Sequence, residues 1–161
     1  MDPGALLEGR SRETKIRRDA RGRWWNDADP IDHTLLAQAF DAWIDRADDG
    51  RYCLKNDINW AYVTVEGAPV FVRSIEIDGE RVVLRLSDGR AEDLDPATLR
   101  EDRDGALHCQ VRDGRLAARF DAHAAVQLDP LVGEDERGTY VRLGGARVRP
   151  PVVDDPIGWA R

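Results

Sequence analysis

A chain of 161 residues, 42% hydrophobic and 34% charged, has the composition of a globular protein and can fold as one domain or as two small lobes. Its formal charge of −7 argues against nonspecific nucleic-acid binding, which depends on phosphate-neutralising basic surface. No apolar run approaches the ~18 residues that a membrane-spanning helix needs. Met1 to Gly9 also lack the basic start and apolar stretch of a signal peptide, so a cytoplasmic location without a membrane partner is expected.

Residues 1–14 read as a flexible leader, and the basic run from Arg10 to Arg23 as a solvated arm. Within that run, Lys15 to Arg18 and Arg23 to Asn26 form a predicted hairpin around Asp19-Ala20-Arg21-Gly22. Trp24 and Trp25 are adjacent on a strand and therefore face opposite ways. One can join the core; the other needs cover from a neighbouring segment, a partner or a ligand. The clearest helical pattern follows. Asp29 or Asp32 can cap it, and Pro30 suits its first position. Leu36, Ala39, Phe40, Trp43 and Ala47 make one apolar stripe, with Leu35 and Ile44 at its margins, and Asp48-Asp49-Gly50 ends the helix.

Arg51 to Leu54 reads as a strand, Lys55-Asn56-Asp57 as a turn, and Ile58 to Val65 as a longer strand. Alternation puts Trp60, Tyr62, Thr64 and Glu66 on one face and Ala61, Val63 and Val65 on the other. After the Gly67-Ala68-Pro69 bend, Val70 to Ile77 and Arg81 to Ser87 form a hairpin at Asp78-Gly79. A two-residue loop there pairs Ile77 with Glu80, Ile75 with Val82, Arg73 with Leu84 and Phe71 with Leu86. Arg73 is then the one charge on an apolar face, where it needs a carboxylate or an anionic ligand if buried.

Asp95-Pro96-Ala97-Thr98-Leu99 reads as a brief helical turn. Strands over Ala106 to Val111 and Arg115 to Phe120 lie between turns at Asp104-Gly105 and Asp113-Gly114. A second helix runs from Asp121 to about Leu128, where Asp129-Pro130 interrupts it. Glu134-Asp135-Glu136 reads as a solvated acidic turn, and Thr139 to Leu143 and Arg147 to Arg149 as closing strands. Residues 150–161 form a proline-rich tail that carries Trp159. Five Asp-Gly pairs favour antiparallel meanders over parallel crossovers.

The tract Val63-Thr64-Val65-Glu66-Gly67-Ala68-Pro69, downstream of a helix starting near Pro30-Ile31, resembles a bacterial family, the domain of unknown function numbered twelve eighty-five. The likeness runs over roughly Ile16 to Val148. It implies a bacterial protein of repeated α+β motifs with a role in ligand binding or signalling and no established catalytic residues. The chain departs from the family pattern at Gly67 and Val70, where an acidic residue and a Phe around Ala-Pro are expected.

Phe40-Asp41, Gly50 and Tyr52 recur as Leu128-Asp129, Gly138 and Tyr140 at identical spacing. The expected fold is therefore α+β, with antiparallel β-sheets from two related hairpin-helix-strand motifs, 15–90 and 91–149, and one main helix in each. Trp60, Tyr62, Glu66 and Arg73 are the candidate ligand-binding residues. Glu66 shares a strand face with both aromatics, and Arg73 can pair with it or hold an anion.

No metal, cofactor or catalytic set is expected. His33, His108, His123, Cys53 and Cys109 lack metal-ligand spacing, and the two cysteines read as buried free thiols. Adjacency on a strand points His108 and Cys109 apart. Gly144-Gly145 lacks the Lys and Ser/Thr of a phosphate loop, and no G-x-S-x-G elbow occurs. The expected function is a non-enzymatic module that binds a small ligand or protein partner in a regulatory or signalling role. Two alternatives stand beside it: a cofactor-independent enzyme with Glu66 as general base, and an assembly subunit, such as a homo-oligomer, with Trp25 or Trp159 in its interface.

Overall fold

The first hairpin creates an inner face that carries a charge. In a computed structural model that describes residues 11–158, β1 (Ile16–Arg18) pairs with β2 (Trp24–Asn26), with Arg18 opposite Trp24 and Ile16 opposite Asn26. Ile16, Arg18 and Trp24 are all buried. Arg18 is thus no part of a solvated arm. Trp159 and residues 1–10 of the expected leader lie outside the described residues. The described chain divides into two compact units after Val70. Antiparallel-rich sheets and two helices make the protein α+β.

The first unit continues through β3 (Asp29–Pro30), α1 (Thr34–Trp43), β4 (Ile44–Arg46), β5 (Tyr52–Lys55), β6 (Trp60–Tyr62) and β7 (Thr64–Val65). One sheet has the order β3-β2-β1-β7, with β7 parallel to β1; the other is the antiparallel meander β4-β5-β6. The helix is shorter than its apolar stripe predicts. Asp29 and Pro30 belong to β3, and the cap is His33, whose Nδ1 accepts the Leu36 N–H at 3.3 Å. At the other end Ile44 fits helical spacing, yet its β-branched side chain is buried in a ladder opposite Leu54. Leu36 and Phe40 form the buried side of α1, and Trp24 meets Phe40 edge to face at 5.5 Å.

Residues 58–65 are interrupted at Val63, but their alternation holds: Ala61 and Val63 are buried, Thr64 and Glu66 exposed. Ile58 is not strand. It lies in a turn where Asn56 Oδ1 accepts the backbone N–H groups of Ile58 and Asn59.

The second unit holds β8 (Val70–Asp78), β9 (Arg81–Leu86), β10 (Ala91–Asp93), β11 (Arg100–Glu101), β12 (Leu107–Val111) and β13 (Leu116–Phe120). It closes with α2 (Ala122–Gln127), β14 (Val132–Asp135), β15 (Gly138–Leu143) and β16 (Ala146–Val148). Its sheets run β10-β9-β8-β13-β12-β11 and β14-β15-β16. β9 pairs with β10, so the larger sheet runs across residues 90 and 91. Asp95 caps a short 3-10 turn at Pro96–Thr98, as its sequence suggests. Leu84, Leu99, Leu116, Ala117 and Leu128 are buried in the core.

The β8–β9 register differs from the expected one. Gly79, at φ +63°, opens a Gly79-Glu80 loop, so Asp78 stays in the ladder opposite Arg81 and meets its guanidinium at 3.0 Å. Ile77 consequently faces Val82, and Ile75 faces Leu84. An irregularity at Arg73 then restores Val72 to the inner side opposite Leu86 and leaves Arg73 exposed. Glu134 and Glu136 are exposed, as expected of a solvated acidic tract, but Glu134 and Asp135 end β14 and only Glu136 lies in the turn. Among the described residues, no helix is long and apolar enough to cross a membrane.

His108 sits between two neighbours in this sheet, opposite Arg100 and Arg119, and is 1% exposed. Burial pushes its pKa below the usual value of about 6.5. Between the folded pKa and about 6.5 the unfolded chain binds a proton that the folded chain does not, so stability falls as pH drops through that window, by at most about 1.4 kcal/mol per pH unit. Urea unfolding between pH 8 and 5.5 is expected to show this slope, and His108→Gln to flatten it. An unchanged slope in the variant would rule out His108 as its source.

Candidate functional site

Trp60 and Tyr62 leave the same side of β6, and their rings meet edge to face at 5.0 Å. A guanidinium covers each: Arg12 stands 4.7 Å from the Trp60 ring centre, and Arg51 stands 3.6 Å from that of Tyr62. These arginines are themselves held. Arg51 donates to both oxygens of Glu13 at 2.7 and 2.9 Å, while Arg12 donates to the Trp60 carbonyl at 2.6 Å and to Asn59 Oδ1. The Tyr62 hydroxyl donates to Asp49 at 2.7 Å, which raises the phenol pKa and lowers that of the carboxyl. Backbone bonds complete the attachment: the Arg12 carbonyl accepts the Tyr62 N–H, and the Thr14 hydroxyl donates to the Tyr62 carbonyl.

The other two candidates are engaged elsewhere. Glu66 is paired with Arg17 at 3.1 Å and is 45% exposed, so it lacks the desolvation that a general base needs. Arg73 is paired with Asp121 at 3.0 Å and lies 5.2 Å from the Phe71 ring centre. Glu66 and Arg73 therefore do not depend on each other for a counter-charge. At the departure from the family pattern, Gly67 runs close to the first hairpin's turn, where an added Cβ would stand 3.0 Å from the Ala20 Cα. A larger residue there needs a backbone shift.

A second candidate also lies in the first unit. A cleft of about 470 Å³ is lined by Trp24 and Trp25 of β2, Ile31, Asp32, and Ala37 and Asp41 of α1. Trp24 donates its indole N–H to Asp41 Oδ1 at 2.8 Å, and Arg18 donates to the same oxygen at 2.7 Å. No described donor reaches the second carboxylate oxygen, although the side chain is 19% exposed. Trp25 lies on the opposite strand face. Its indole N–H donates to Asp19 at 2.9 Å, with Arg17 4.7 Å and Arg23 5.9 Å from its ring centre. Partial burial raises the Asp19 pKa, but the bonds from Trp25 and the Arg21 and Arg23 backbones outweigh it and hold the carboxyl below the usual range.

This cleft offers the buried Trp24 indole at its base, aliphatic surface from Ile31 and Ala37, and the Asp41 carboxylate. It suits a small molecule with a flat or apolar body and an N–H donor. Sequence reasoning missed Asp41 and Arg18, but a signal was present. Alternation along Ile16-Arg17-Arg18 puts Arg18 on the same inner face as Ile16, and a buried guanidinium requires an acidic partner.

In the second unit, a cavity of about 380 Å³ is lined by Glu92, Asp93, Asp95 and Asp113, and burial raises the pKa of Glu92. Among the described residues, no group of three or more His, Cys, Asp or Glu is placed to hold a metal ion. Cys53 and Cys109 are buried thiols that form no disulfide, and burial pushes the Cys109 thiol up, away from the reactive thiolate.

Two solved structures share this fold, and both are DUF1285 family proteins, the family the sequence resembles. The one from Silicibacter pomeroyi DSS-3 is 18% identical, with a TM-score of 0.67 over 91% of this chain and 85% of its own. The one from Shewanella baltica OS155 is 17% identical, with a TM-score of 0.58 over 74% of this chain and 94% of its own. No family model and no curated protein matches the chain.

Proposed function

We propose that the protein is a non-enzymatic module that binds a small molecule in the Trp24–Trp25–Asp41 cleft and serves a regulatory or signalling role. The observation that supports this reading is Asp41, a cleft-lining residue whose second carboxylate oxygen has no described donor. The ligand class that matches it is an aromatic or aliphatic amine. Its ammonium bonds Asp41, and its body lies against indole. Occupancy ties α1 to β2 and so changes the stability of the first unit, a signal that a partner can read.

We also read residues 15–90 and 91–149 as each carrying one copy of a hairpin-helix-strand motif. Supporting this, β1-β2, α1 and β4-β5-β6 recur in order as β12-β13, α2 and β14-β15-β16, with Gly50 and Gly138 each two residues before a tyrosine.

A metabolite panel that includes primary amines, read by thermal unfolding, tests the binding reading. A ligand of the folded state raises stability by about 2.7 kcal/mol at a hundredfold excess over its Kd. The gain is expected to vanish in Asp41→Asn and in the cavity-filling Ala37→Phe, and to survive in Trp60→Ala and Glu66→Gln. The opposite pattern would move the site to the Trp60–Tyr62 face, a reading favoured by the paired rings there.

A further inference from the structure

The closing meander of the second unit bears a cationic face that its own carboxylate does not neutralise. Gly133 lies opposite Tyr140, and Arg142 opposite Arg147. Alternation therefore puts Gly133, Asp135, Tyr140, Arg142, Arg147 and Arg149 on one side, away from the buried Val141 and Leu143. Gly133 is bare by need: an added Cβ would stand 2.5 Å from the Tyr140 hydroxyl that crosses it. Around this phenol ring stand three guanidiniums, with Arg147 4.8 Å, Arg149 5.5 Å and Arg142 6.0 Å from its centre.

Asp135 accepts from Arg147 at 2.8 Å and from Arg149, and the Arg137 backbone N–H donates to it as well. One carboxylate against three guanidiniums leaves a surplus of two positive charges, in a chain whose formal net charge is −7. Donors also remain. Arg149 Nε is buried without a hydrogen-bond partner. Among the described residues, no side-chain hydrogen bond or ion pair engages the Arg142 guanidinium, which stands over the Tyr140 ring.

We propose that this face binds a phosphomonoester, whose oxygens take the unused N–H groups of Arg142 and Arg149. A surplus of two charges matches a phosphate group, which carries about −1.5 to −2 near neutral pH, better than a carboxylate. Guanidinium forks fit its oxygens two at a time, and the phenol beneath them supplies a hydroxyl donor and an aromatic surface. The site is separate from the amine cleft and stands or falls independently of it.

Phenyl phosphate titrated into the whole protein, with ionic strength held constant by sodium chloride, tests the soluble ligand. Phosphatidylcholine vesicles with and without phosphatidic acid test the same group on a lipid. We expect saturable binding in at least one arm, weakened tenfold or more by Arg142→Gln and by Arg149→Gln, and unchanged in Arg137→Gln. Arg142→Gln removes no hydrogen bond described in the fold, so its effect reports binding, and a matching melting curve checks this. The soluble arm alone identifies a metabolite phosphate; the vesicle arm alone identifies a lipid headgroup. Absence of binding in both arms, or equal weakening in Arg137→Gln, would overturn the proposal.

Discussion

Replacing Arg18 with alanine is expected to destabilise the first unit by about 3–5 kcal/mol, the range for breaking a buried ion pair from one side. Arg18 is fully buried, and its guanidinium donates to the Gly22 carbonyl at 3.0 Å, the Pro69 carbonyl at 2.7 Å and Asp41 at 2.7 Å while lying 4.9 Å from the Trp24 ring centre. One side chain thus ties together β1, the hairpin turn, the bend before β8 and α1. Alanine leaves two carbonyls and a carboxylate short of a donor. Arg18→Lys is expected to be intermediate, because a lysine ammonium lacks the fork that reaches three acceptors. Denaturant unfolding followed by tryptophan fluorescence reports the loss, since Trp24, Trp25, Trp43 and Trp60 all lie in this unit. A loss below about 1 kcal/mol, typical of an exposed pair, would contradict the buried role.

Asp88→Ala is expected to cost the second unit a similar amount, about 3–5 kcal/mol. The Asp88 carboxylate is fully buried, and Arg112, 7% exposed, donates to it through Nη2 at 2.5 Å and Nε at 3.0 Å. The pair also holds an unusual backbone. Arg112 and Asp113 have φ of +52° and +54° in the β12–β13 turn, where residues other than glycine are costly by about 1–2 kcal/mol each. The Glu92 carboxylate accepts the Arg112 backbone N–H and secures the same turn. In Asp88→Ala the buried guanidinium loses both of its hydrogen bonds to this carboxylate, so the double variant Asp88→Ala/Arg112→Leu is expected to recover part of the loss. A double-mutant cycle measured by circular dichroism supplies the coupling, and strict additivity would show that the pair is not coupled.

Much of the local structure was legible because it depends on near neighbours. Alternation put Ala61 and Val63 inward and Trp60 and Tyr62 on one face, and Asp-Gly pairs marked real turns. What could not be read depends on distant partners. Ile44 suits either a helix or a ladder, and Leu54 across the sheet decides for the ladder. The β8–β9 register turned on whether Asp78 entered the loop or stayed to meet Arg81. Arg18 looked like one of many basic residues until α1 placed Asp41 against it. Trp60 and Tyr62 do come together, but Glu66 and Arg73 take Arg17 and Asp121 as partners, matches that alternation within one strand cannot reveal.

The amine cleft is tested most directly by following the indole N–H signals of Trp24, Trp25 and Trp60 in the nuclear magnetic resonance spectrum. The titrant is the amine that most stabilises the protein. Binding beside Asp41 Oδ1, which holds the Trp24 indole at 2.8 Å, should move the Trp24 signal saturably while Trp60 stays still. Movement of Trp60 with Trp24 fixed would place the ligand outside the cleft and contradict the account.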